Sequence, residues 1–492
     1  MRLRAALALA LALLAPPALA RDCVAPGDVV NAPLRTVLQA GLEVDDLNLR
    51  LDFDGITMPV KILAQSRNRL RVRMPLRGVP GDTLFWLRHI PKGGGRDIIL
   101  TQGRTCPRDG PMAAPQRGPR RPLERATASD VAAPSGAPEY LLAGRSAAMG
   151  AAEALLAEAG AEVLRRTELG GLGLKMLAVD LRGTMTLNQL RGALARRGVA
   201  AKADRHTVYR AAAGPDSKTA DASGYALQMV GQRPDAVCAL GRQVRIGLID
   251  GPVDTGVPAL AGVPVRSTSV LSGGDHQGSA DHATGIAALI ASPGGSGAPP
   301  GIAPGAQIYS VVAFARTGGR EVARLENIAQ ALDWLIESRV ELINMSLTGP
   351  ENETLAELIR LADARGIVML AATGNGGREG VAYPAADPRV IGVTAVDAAR
   401  RLYRKANTGP GVDFAAPGVD VLVPGRGGKA SYRSGTSYAS AVATAVVAQM
   451  MARGTRSREG LLSALGAAAE DLGAPGVDTQ FGRGLIRLPG GC

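Results

Sequence analysis

The second half of the chain alternates continuous apolar runs with amphipathic segments, and this pattern constrains the fold most. Five runs have the length of strands, and they cover residues 244–250, 307–313, 341–347, 367–372 and 390–396. Between them, apolar residues recur at helical spacing over residues 325–336 and 355–362. Strands that are apolar along their whole length are typical of a parallel sheet buried on both faces. The sequence therefore predicts an α/β domain over residues 223–492, with helices on both faces of a parallel sheet.

The first half has a different organisation. Residues 21–106 contain short period-2 runs separated by Gly and Pro, which predict a β-rich, immunoglobulin-like module. Residues 107–137 are rich in Pro, Arg and Ala and predict a flexible linker. Residues 138–211 predict a small α+β module in the order β-α-β-α-β, with helices over 147–159 and 187–196 and a last strand over 203–209. There is room for a further strand near residues 161–166. Residues 212–222 are small and polar, which predicts an extended linker.

Residues 1–20 predict a secretory signal peptide. Arg2 and Arg4 form a positive start, an apolar run follows, and Ala18-Leu19-Ala20 is a small-x-small cleavage site. The alternative is an uncleaved membrane anchor, but the run is short for a span and contains Pro16-Pro17. We therefore expect an exported protein, secreted or periplasmic, without a transmembrane anchor after signal cleavage.

Charge is distributed unevenly along the chain. The whole sequence has 56 Lys+Arg and 44 Asp+Glu, a formal net charge of +12. Residues 1–222 have 32 basic and 21 acidic residues (+11), which leaves 24 and 23 (+1) for residues 223–492. A basic total alone would suggest nucleic acid as a partner. Because the α/β domain is close to neutral and the chain is expected to be exported, we expect no nucleic-acid partner.

Four cysteines follow the predicted signal peptide: Cys23, Cys106, Cys238 and Cys492. An even count in an oxidising compartment predicts two disulfides, for which three pairings are possible. We favour Cys23 with Cys106 and Cys238 with Cys492, because each pair then brackets one segment. No Cys-x-x-Cys motif occurs, which argues against a zinc site of that type.

Four polar residues of the second half lie at predicted strand or helix ends. Asp250 ends an apolar run, His282 begins a small-residue helix, and Asn375 follows another run. Ser437 precedes the long apolar segment 441–451. Each has an ordinary structural explanation: a turn aspartate, a satisfied histidine, a turn asparagine and a helix N-cap serine.

Together the four residues supply the groups that acyl transfer requires. A serine hydroxyl is a poor nucleophile until a base takes its proton, and an imidazole base must be held in one tautomer by a carboxylate. A side-chain amide such as that of Asn375 can donate to the developing oxyanion. The chain order Asp250, His282, Ser437 is that of subtilisin rather than of chymotrypsin or the α/β-hydrolases.

The motifs around these residues resemble those of the subtilisin-like serine peptidases, the subtilase family. They are Ile249-Asp250-Gly251, His282-Ala283-Thr284-Gly285 and Gly435-Thr436-Ser437-Tyr438-Ala439-Ser440, with Asn375 in a Gly-Asn-Gly context. The resemblance covers residues 223–490. It implies a serine-type endopeptidase that cleaves proteins or peptides with the triad Asp250, His282 and Ser437 and with Asn375 in the oxyanion hole. It also implies that the extended substrate binds along two segments: Ser346, Leu347, Thr348 and Gly349, and Ala372, Thr373 and Gly374.

The module at 138–211 resembles the ferredoxin-like propeptide of the same family. That resemblance implies a zymogen whose own propeptide inhibits the active site and is removed by self-cleavage within residues 211–223. The alternative is a permanently attached module. A further alternative for the whole chain is a subtilase-like binding protein without catalysis, against which the complete triad argues.

The expected chemistry requires no cofactor, because the triad and oxyanion donors are side chains and backbone of the chain itself. We predict no catalytic metal. Structural calcium is common in the family that the chain resembles, but no compact run of carboxylate ligands indicates such a site, and the question of calcium stays open.

Overall fold

The computed structural model describes residues 129–490 apart from 213–223, 234–237, 296–298, 318 and 425–429, together with the strands that lie between residues 29 and 104. The chain divides into two compact units, Met1–Pro119 and Arg120–Cys492. The predicted signal peptide, Cys23, Cys106, Cys492 and most of the segments 107–137 and 212–222 lie outside the described residues.

The first unit contains two antiparallel sheets, in agreement with the period-2 pattern of residues 21–106. Sheet order is β1-β5-β4 in one and β3-β2-β6-β7 in the other. The strands are β1 (Val29–Pro33), β2 (Leu49–Phe53), β3 (Ile56–Pro59), β4 (Lys61–Ser66), β5 (Arg69–Arg73), β6 (Leu84–His89) and β7 (Ile98–Arg104).

The second unit begins with a small α+β module. Its antiparallel sheet has the order β11-β8-β10-β9. The strands are β8 (Tyr140–Gly144), β9 (Glu162–Leu169), β10 (Leu174–Asp180) and β11 (Ala201–Arg205), and the helices are α1 (Ser146–Ala159) and α2 (Leu187–Arg196). Thr186 caps α2 in a capping box with Gln189, which explains why this helix begins where the sequence predicts. Leu and Met side chains from both helices and the sheet form one buried core.

A seven-stranded parallel sheet forms the centre of the second unit, and it confirms the predicted fold class. Its order is β14-β15-β13-β18-β20-β21-β22. The strands are β13 (Arg245–Asp250), β14 (Val265–Ser269), β15 (Gln307–Val312), β18 (Leu342–Met345), β20 (Val368–Ala372), β21 (Val390–Val396) and β22 (Phe414–Pro417). A short antiparallel pair joins β23 (Val421–Pro424) to β24 (Ala430–Arg433).

Helices cover both faces of this sheet, and the sheet lies between two clusters of buried side chains. They are α3 (Tyr225–Met229), α4 (Ala280–Ala291), α5 (Leu325–Glu337), α6 (Glu353–Asp363), α7 (Thr436–Ala452) and α8 (Arg458–Ala468), with a 3-10 turn at Pro258–Leu260. Helices α4 and α7 contribute to one cluster, and α5 and α6 to the other. Helix α7 is buried at every residue from Thr436 to Met451, which is why its sequence is apolar all round.

The last strand of the small module differs from the prediction. The predicted strand 203–209 is two strands in two sheets: β11 and, after His206-Thr207, β12 (Val208–Ala211). Strand β12 joins the sheet β16-β17-β12-β19, whose other members are β16 (Phe314–Thr317), β17 (Arg320–Arg324) and β19 (Leu347–Thr348). Periodicity cannot reveal this exchange, because both strands have the same local pattern and the partner of β12 is distant in the sequence.

The end of the predicted linker is also ordered. Val131 N donates to His206 O at 2.7 Å, and Glu139 N donates to Val131 O at 2.8 Å. Residues 129–137 therefore pack on the small module rather than acting as a free tether.

Candidate active site

Asp250 and His282 form a buried pair at the carboxyl end of the parallel sheet. Asp250 is the last residue of β13, and its carboxylate accepts from Gly251 N at 2.6 Å. His282 lies in the first turn of α4, and its Nδ1 is 2.8 and 2.9 Å from the two carboxylate oxygens of Asp250. An Nδ1 that donates to a carboxylate leaves Nε2 without a proton in the neutral ring. The pair therefore offers a basic nitrogen at Nε2.

The surroundings of His282 favour its protonated form. Burial of the ring lowers its pKa, but the charge and hydrogen bond of Asp250 raise it more, and the charge of Glu321 adds to this effect. The net pKa of His282 lies above its ordinary value. Nε2 is buried and has no hydrogen-bond partner among the described residues. This nitrogen is therefore available to take a proton.

Ser437 occupies the first turn of α7. Its neighbour Gly435 precedes the helix with a φ of 157°, and Ser437 itself is fully buried. The Ser437 hydroxyl is 3.4 Å from Ser346 O and makes no hydrogen bond with His282 among the described contacts. The ring of Tyr438, the next residue, lies 5.6 Å from the His282 ring between centroids. The structure thus brings His282 to the turn that contains Ser437 without joining the two side chains.

Asn375 and the backbone of Ser437 converge on one carbonyl oxygen. Ala212 O accepts from Asn375 Nδ2 at 2.5 Å and from Ser437 N at 3.2 Å. Thr436, which the sequence analysis did not single out, fixes the orientation of this amide: Thr436 N and Oγ1 donate to Asn375 Oδ1 at 3.1 and 3.0 Å. Thr436 Oγ1 also accepts from Gly374 N at 3.2 Å.

The Ala212 carbonyl directly follows β12, a strand of the chain itself that lies in the cleft. Strand β12 pairs antiparallel with β19 on one side, with Arg210 opposite Thr348 and Ala211 opposite Leu347. Ala212 N continues this ladder by donating to Ser346 O at 3.0 Å. The predicted substrate-binding residues Ser346, Leu347 and Thr348 therefore contact an extended peptide in the structure.

The second wall of the cleft is β17, which the sequence analysis did not predict. Strand β12 pairs with it antiparallel, with Tyr209 opposite Ala323 and Arg210 opposite Val322. Among the described residues, the other predicted segment does not pair with β12. Thr373 N donates to Val393 O within the main sheet, and Gly374 reaches the site through Thr436. The sequence did not predict the pairing of β17 with β12, because the two strands are far apart in the sequence and periodicity does not distinguish them.

Tyr209 fills a pocket beside Gly349, the last predicted residue of the first substrate segment. The tyrosine is fully buried, and its hydroxyl donates to Pro350 O at 3.0 Å. A Cβ at Gly349 would lie 2.3 Å from the Tyr209 ring, so only glycine leaves room for an aromatic side chain here. Burial raises the pKa of Tyr209 well above its ordinary value, which keeps the hydroxyl a donor.

A buried polar network holds Ser437 against the cleft from behind. Asn344 Nδ2 donates to Ser346 Oγ at 2.8 Å, and that hydroxyl donates to Ser437 O at 3.1 Å. Asn344 Oδ1 accepts from Ser440 Oγ at 2.7 Å and from Thr444 Oγ1 at 3.2 Å. The network joins β18 to α7. In the sequence its only sign is polar residues inside otherwise apolar runs.

A second buried cluster joins the small module to the domain that contains the cleft. His206 Nδ1 is 2.6 Å from Glu139 Oε1, and Arg165 bonds to both Glu139 and Glu326 of α5. Glu139, His206 and Glu326 could offer three ligand atoms to a metal. Since the guanidinium of Arg165 already pairs with both carboxylates, we interpret the cluster as an ion-pair network rather than a metal site.

Comparison with known proteins agrees with the residues and the fold. The profile described as the Subtilase family matches residues 241–484. The chain is 31% identical to Subtilisin of Bacillus pumilus over 254 residues, which are 50% of this chain and 90% of that protein. It is 32% identical to Minor extracellular protease Epr of Bacillus subtilis (strain 168) over 251 residues, which are 50% of this chain and 38% of that protein.

A solved structure has the same fold over a larger part of the chain. Fervidolysin from Fervidobacterium pennivorans, described as a keratinolytic enzyme related to subtilisin, superposes with a TM-score of 0.59 at 21% identity, covering 74% of this chain and 61% of that one. A parallel α/β fold with these motifs in this order defines the subtilisin-like class of serine-type endopeptidases. The chain belongs to the subtilase family, and the resemblance found in its motifs is confirmed.

Within the described part of the chain, every helix falls short of the length and apolarity that a membrane span requires. Cys238 is disulfide-bonded, and its partner lies outside the described residues, so the pairing with Cys492 stays a prediction.

Proposed function

We propose that this chain is an exported serine endopeptidase, made as a zymogen, that cleaves its own chain between Ala212 and Ala213 and then cleaves other proteins or peptides. One observation carries the proposal. Ala212 O, directly after β12 of the chain itself, accepts from both Asn375 Nδ2 and Ser437 N at the first turn of α7. Two donors fixed on one carbonyl are what an acyl-transfer site needs for the oxyanion of its intermediate.

In the proposed reaction the Ser437 hydroxyl leaves its contact with Ser346 O, transfers its proton to His282 Nε2 and bonds to the Ala212 carbonyl carbon. The carbonyl electrons move to the oxygen held by Asn375 and Ser437 N. Collapse of this intermediate breaks the bond to the Ala213 nitrogen, which leaves as an amine with the proton from His282. Water then takes the acyl group from Ser437, with His282 again as base.

Asp250 acts on His282 rather than on the peptide. Its carboxylate holds the ring with Nδ1 protonated and stabilises the imidazolium that forms when Nε2 takes the proton. All of these groups belong to the chain, so we propose chemistry without a cofactor.

The segment before Ala212 is proposed to act as propeptide and inhibitor. After cleavage it keeps its two ladders with β17 and β19, the Tyr209 pocket and the Arg165 network, and so it occupies the cleft until it dissociates or is degraded. The alternative, a permanently attached module, would lack cleavage after Ala212.

The test is mass spectrometry of the purified full-length chain, its Ser437→Ala variant and a control, Ser267→Ala, at an exposed position of β14. We expect wild type and Ser267→Ala to be cut after Ala212, and Ser437→Ala to remain uncut. A fluorophosphonate should label wild type at Ser437 alone. Cleavage at the same bond in pure Ser437→Ala would refute the proposal. The same spectra give the mature N-terminus, which tests the expected removal of residues 1–20. They also test both expected disulfide pairs.

A further inference from the structure

One charged side chain joins the peptide-binding strand to the helix that contains His282. Glu321 belongs to β17 and comes just before Val322, which pairs with Arg210 of β12. It therefore lies at the end of this pairing that is nearer to Ala212. Its Oε1 accepts from Ser279 N at 2.6 Å. Ser279 is the N-cap of α4, and His282 is the third residue of that helix.

The backbone before α4 fits closely around this carboxylate. A Cβ at Gly278 would lie 3.2–3.4 Å from the carboxyl atoms of Glu321. Two more contacts join the hairpin β16–β17 to the same segment: Gly278 N donates to Phe314 O at 3.1 Å, and Arg324 forms a two-bonded ion pair with Asp275 at 2.8 and 2.9 Å. The start of α4 therefore cannot move independently of the strand that receives the peptide.

The charge of Glu321 has a chemical consequence at this place. The N-terminal turn of a helix is its positive end and disfavours an added positive charge. His282 lies in that turn, yet it must become imidazolium when it takes the serine proton. A carboxylate bonded to the N-cap backbone offsets the positive end of the helix.

We infer that Glu321 is a positioning residue for His282: from the peptide-binding strand, its carboxylate fixes the first turn of α4 and stabilises the imidazolium formed during the reaction. The inference rests on the proposed function. The direction of the His282 pKa agrees with it, since the charge of Glu321 raises that pKa together with Asp250.

Other charged or titratable groups surround the same ring and hairpin. They are Asp250 on β13, Asp281 in the same turn of α4, His276 in the segment before α4, Tyr438 on α7, and Arg316 opposite Glu321 on β16. Burial raises the pKa of Tyr438 above its ordinary value, so this phenol stays neutral.

The experiment uses Glu321→Gln, which keeps an oxygen that can accept from Ser279 N but removes the charge, and Glu321→Ala, which removes both. The control is Glu459→Gln, which removes the same charge from a side chain of α8 that is 81% exposed. The full-length chain, with its processing state recorded by mass, is assayed with the blocked tetrapeptide anilide Tyr-Arg-Ala-Ala, the sequence of residues 209–212. The rate of fluorophosphonate labelling provides a second readout that needs no peptide binding.

We expect the acid limb of kcat/KM and of the labelling rate to move to lower pH in Glu321→Gln, by on the order of 0.5 unit at low salt and less at high salt. The alkaline plateau should fall about 2- to 5-fold, and Glu321→Ala should lose more than Glu321→Gln. Glu459→Gln should match wild type.

A merely structural role for Glu321 predicts a different result. Glu321→Gln would then keep full activity with the acid limb unchanged. This outcome in an active enzyme overturns the inference, while the proposed function stands. A wild type that shows neither hydrolysis nor labelling refutes the proposed function, and with it the role of Glu321.

Discussion

Replacing Arg165 with alanine is expected to weaken the proposed inhibition of the peptidase by the small α+β module. Arg165 lies on β9 of that module, and its guanidinium bonds to Glu139 of the same module and to Glu326 across the interface, with Arg165 Nε and NH2 3.0 and 2.9 Å from Glu326 Oε2. The side chains of Glu139 and Glu326 are only 3% and 11% exposed. The variant would leave two nearly buried carboxylates facing each other without their cation.

The magnitude follows from burial. Removing one partner of a fully buried ion pair costs about 3–5 kcal/mol, because the remaining charge is left unpaired. The Arg165 side chain is 43% exposed, so water screens part of this interaction, and we reduce the cost to about 1.5–3 kcal/mol. Since 1.4 kcal/mol is a factor of ten, the dissociation constant of the cleaved module should rise roughly 10- to 150-fold.

The assay is a dilution series of the self-cleaved full-length protein, with hydrolysis of a peptide anilide reporting the free peptidase. The matched control is Arg197→Ala, whose side chain is 44% exposed and pairs with Glu158 inside the module, away from the interface. The double variant Arg165→Ala/Glu326→Gln should recover part of the loss, because it removes one unpaired carboxylate. Equal dissociation constants for Arg165→Ala and Arg197→Ala would show that the interface does not depend on this network.

Three further results are expected. Hydrolysis should fall as the pH drops through the pKa of His282, which lies above its ordinary value, because only neutral His282 can act as a base. Asp250→Asn should move this acid limb to lower pH and reduce kcat by about four orders of magnitude. An unchanged pH–rate profile in this variant would contradict the pairing of Asp250 with His282. Gly349→Ala should slow self-cleavage, because its Cβ would lie 2.3 Å from the Tyr209 ring, and Tyr209→Ala in the same chain should restore it, as followed by the mass of the product. Asn344→Leu should lower the free energy of unfolding by about 1–3 kcal/mol in denaturant titrations, because it leaves buried hydroxyls unpaired, and an unchanged midpoint would argue against the network.

Local signals in the sequence predicted much of the fold. Helix α2 spans Leu187–Arg196, as predicted. Thr186 and Gln189 form a capping box, which fixes the residue at which this helix begins. The apolar runs became the strands of the parallel sheet within a few residues of their predicted bounds. The predicted strand 203–209 was the main departure, since a break at His206-Thr207 sends the chain into another sheet.

The active-site prediction had a different limit. Asp250, His282, Asn375 and Ser437 were predicted because each lies at the end of a strand or the start of a helix, in a recognisable motif order. Glu321 was not found. It resembles any exposed glutamate in a hairpin, and its importance depends on a contact with Ser279, 42 residues away in the sequence.

The sequence by itself determined the class of the fold, the order of the modules and the residue types of the proposed triad, because periodicity, caps and motifs are local properties of the chain. Only the tertiary structure decided what those residues meet. It set Asp250 against His282, directed Asn375 and Ser437 N to the carbonyl of Ala212, and placed the chain's own strand between β17 and β19. Such contacts join residues far apart in sequence, and their geometry is set by how the sheet and helices pack rather than by any local preference.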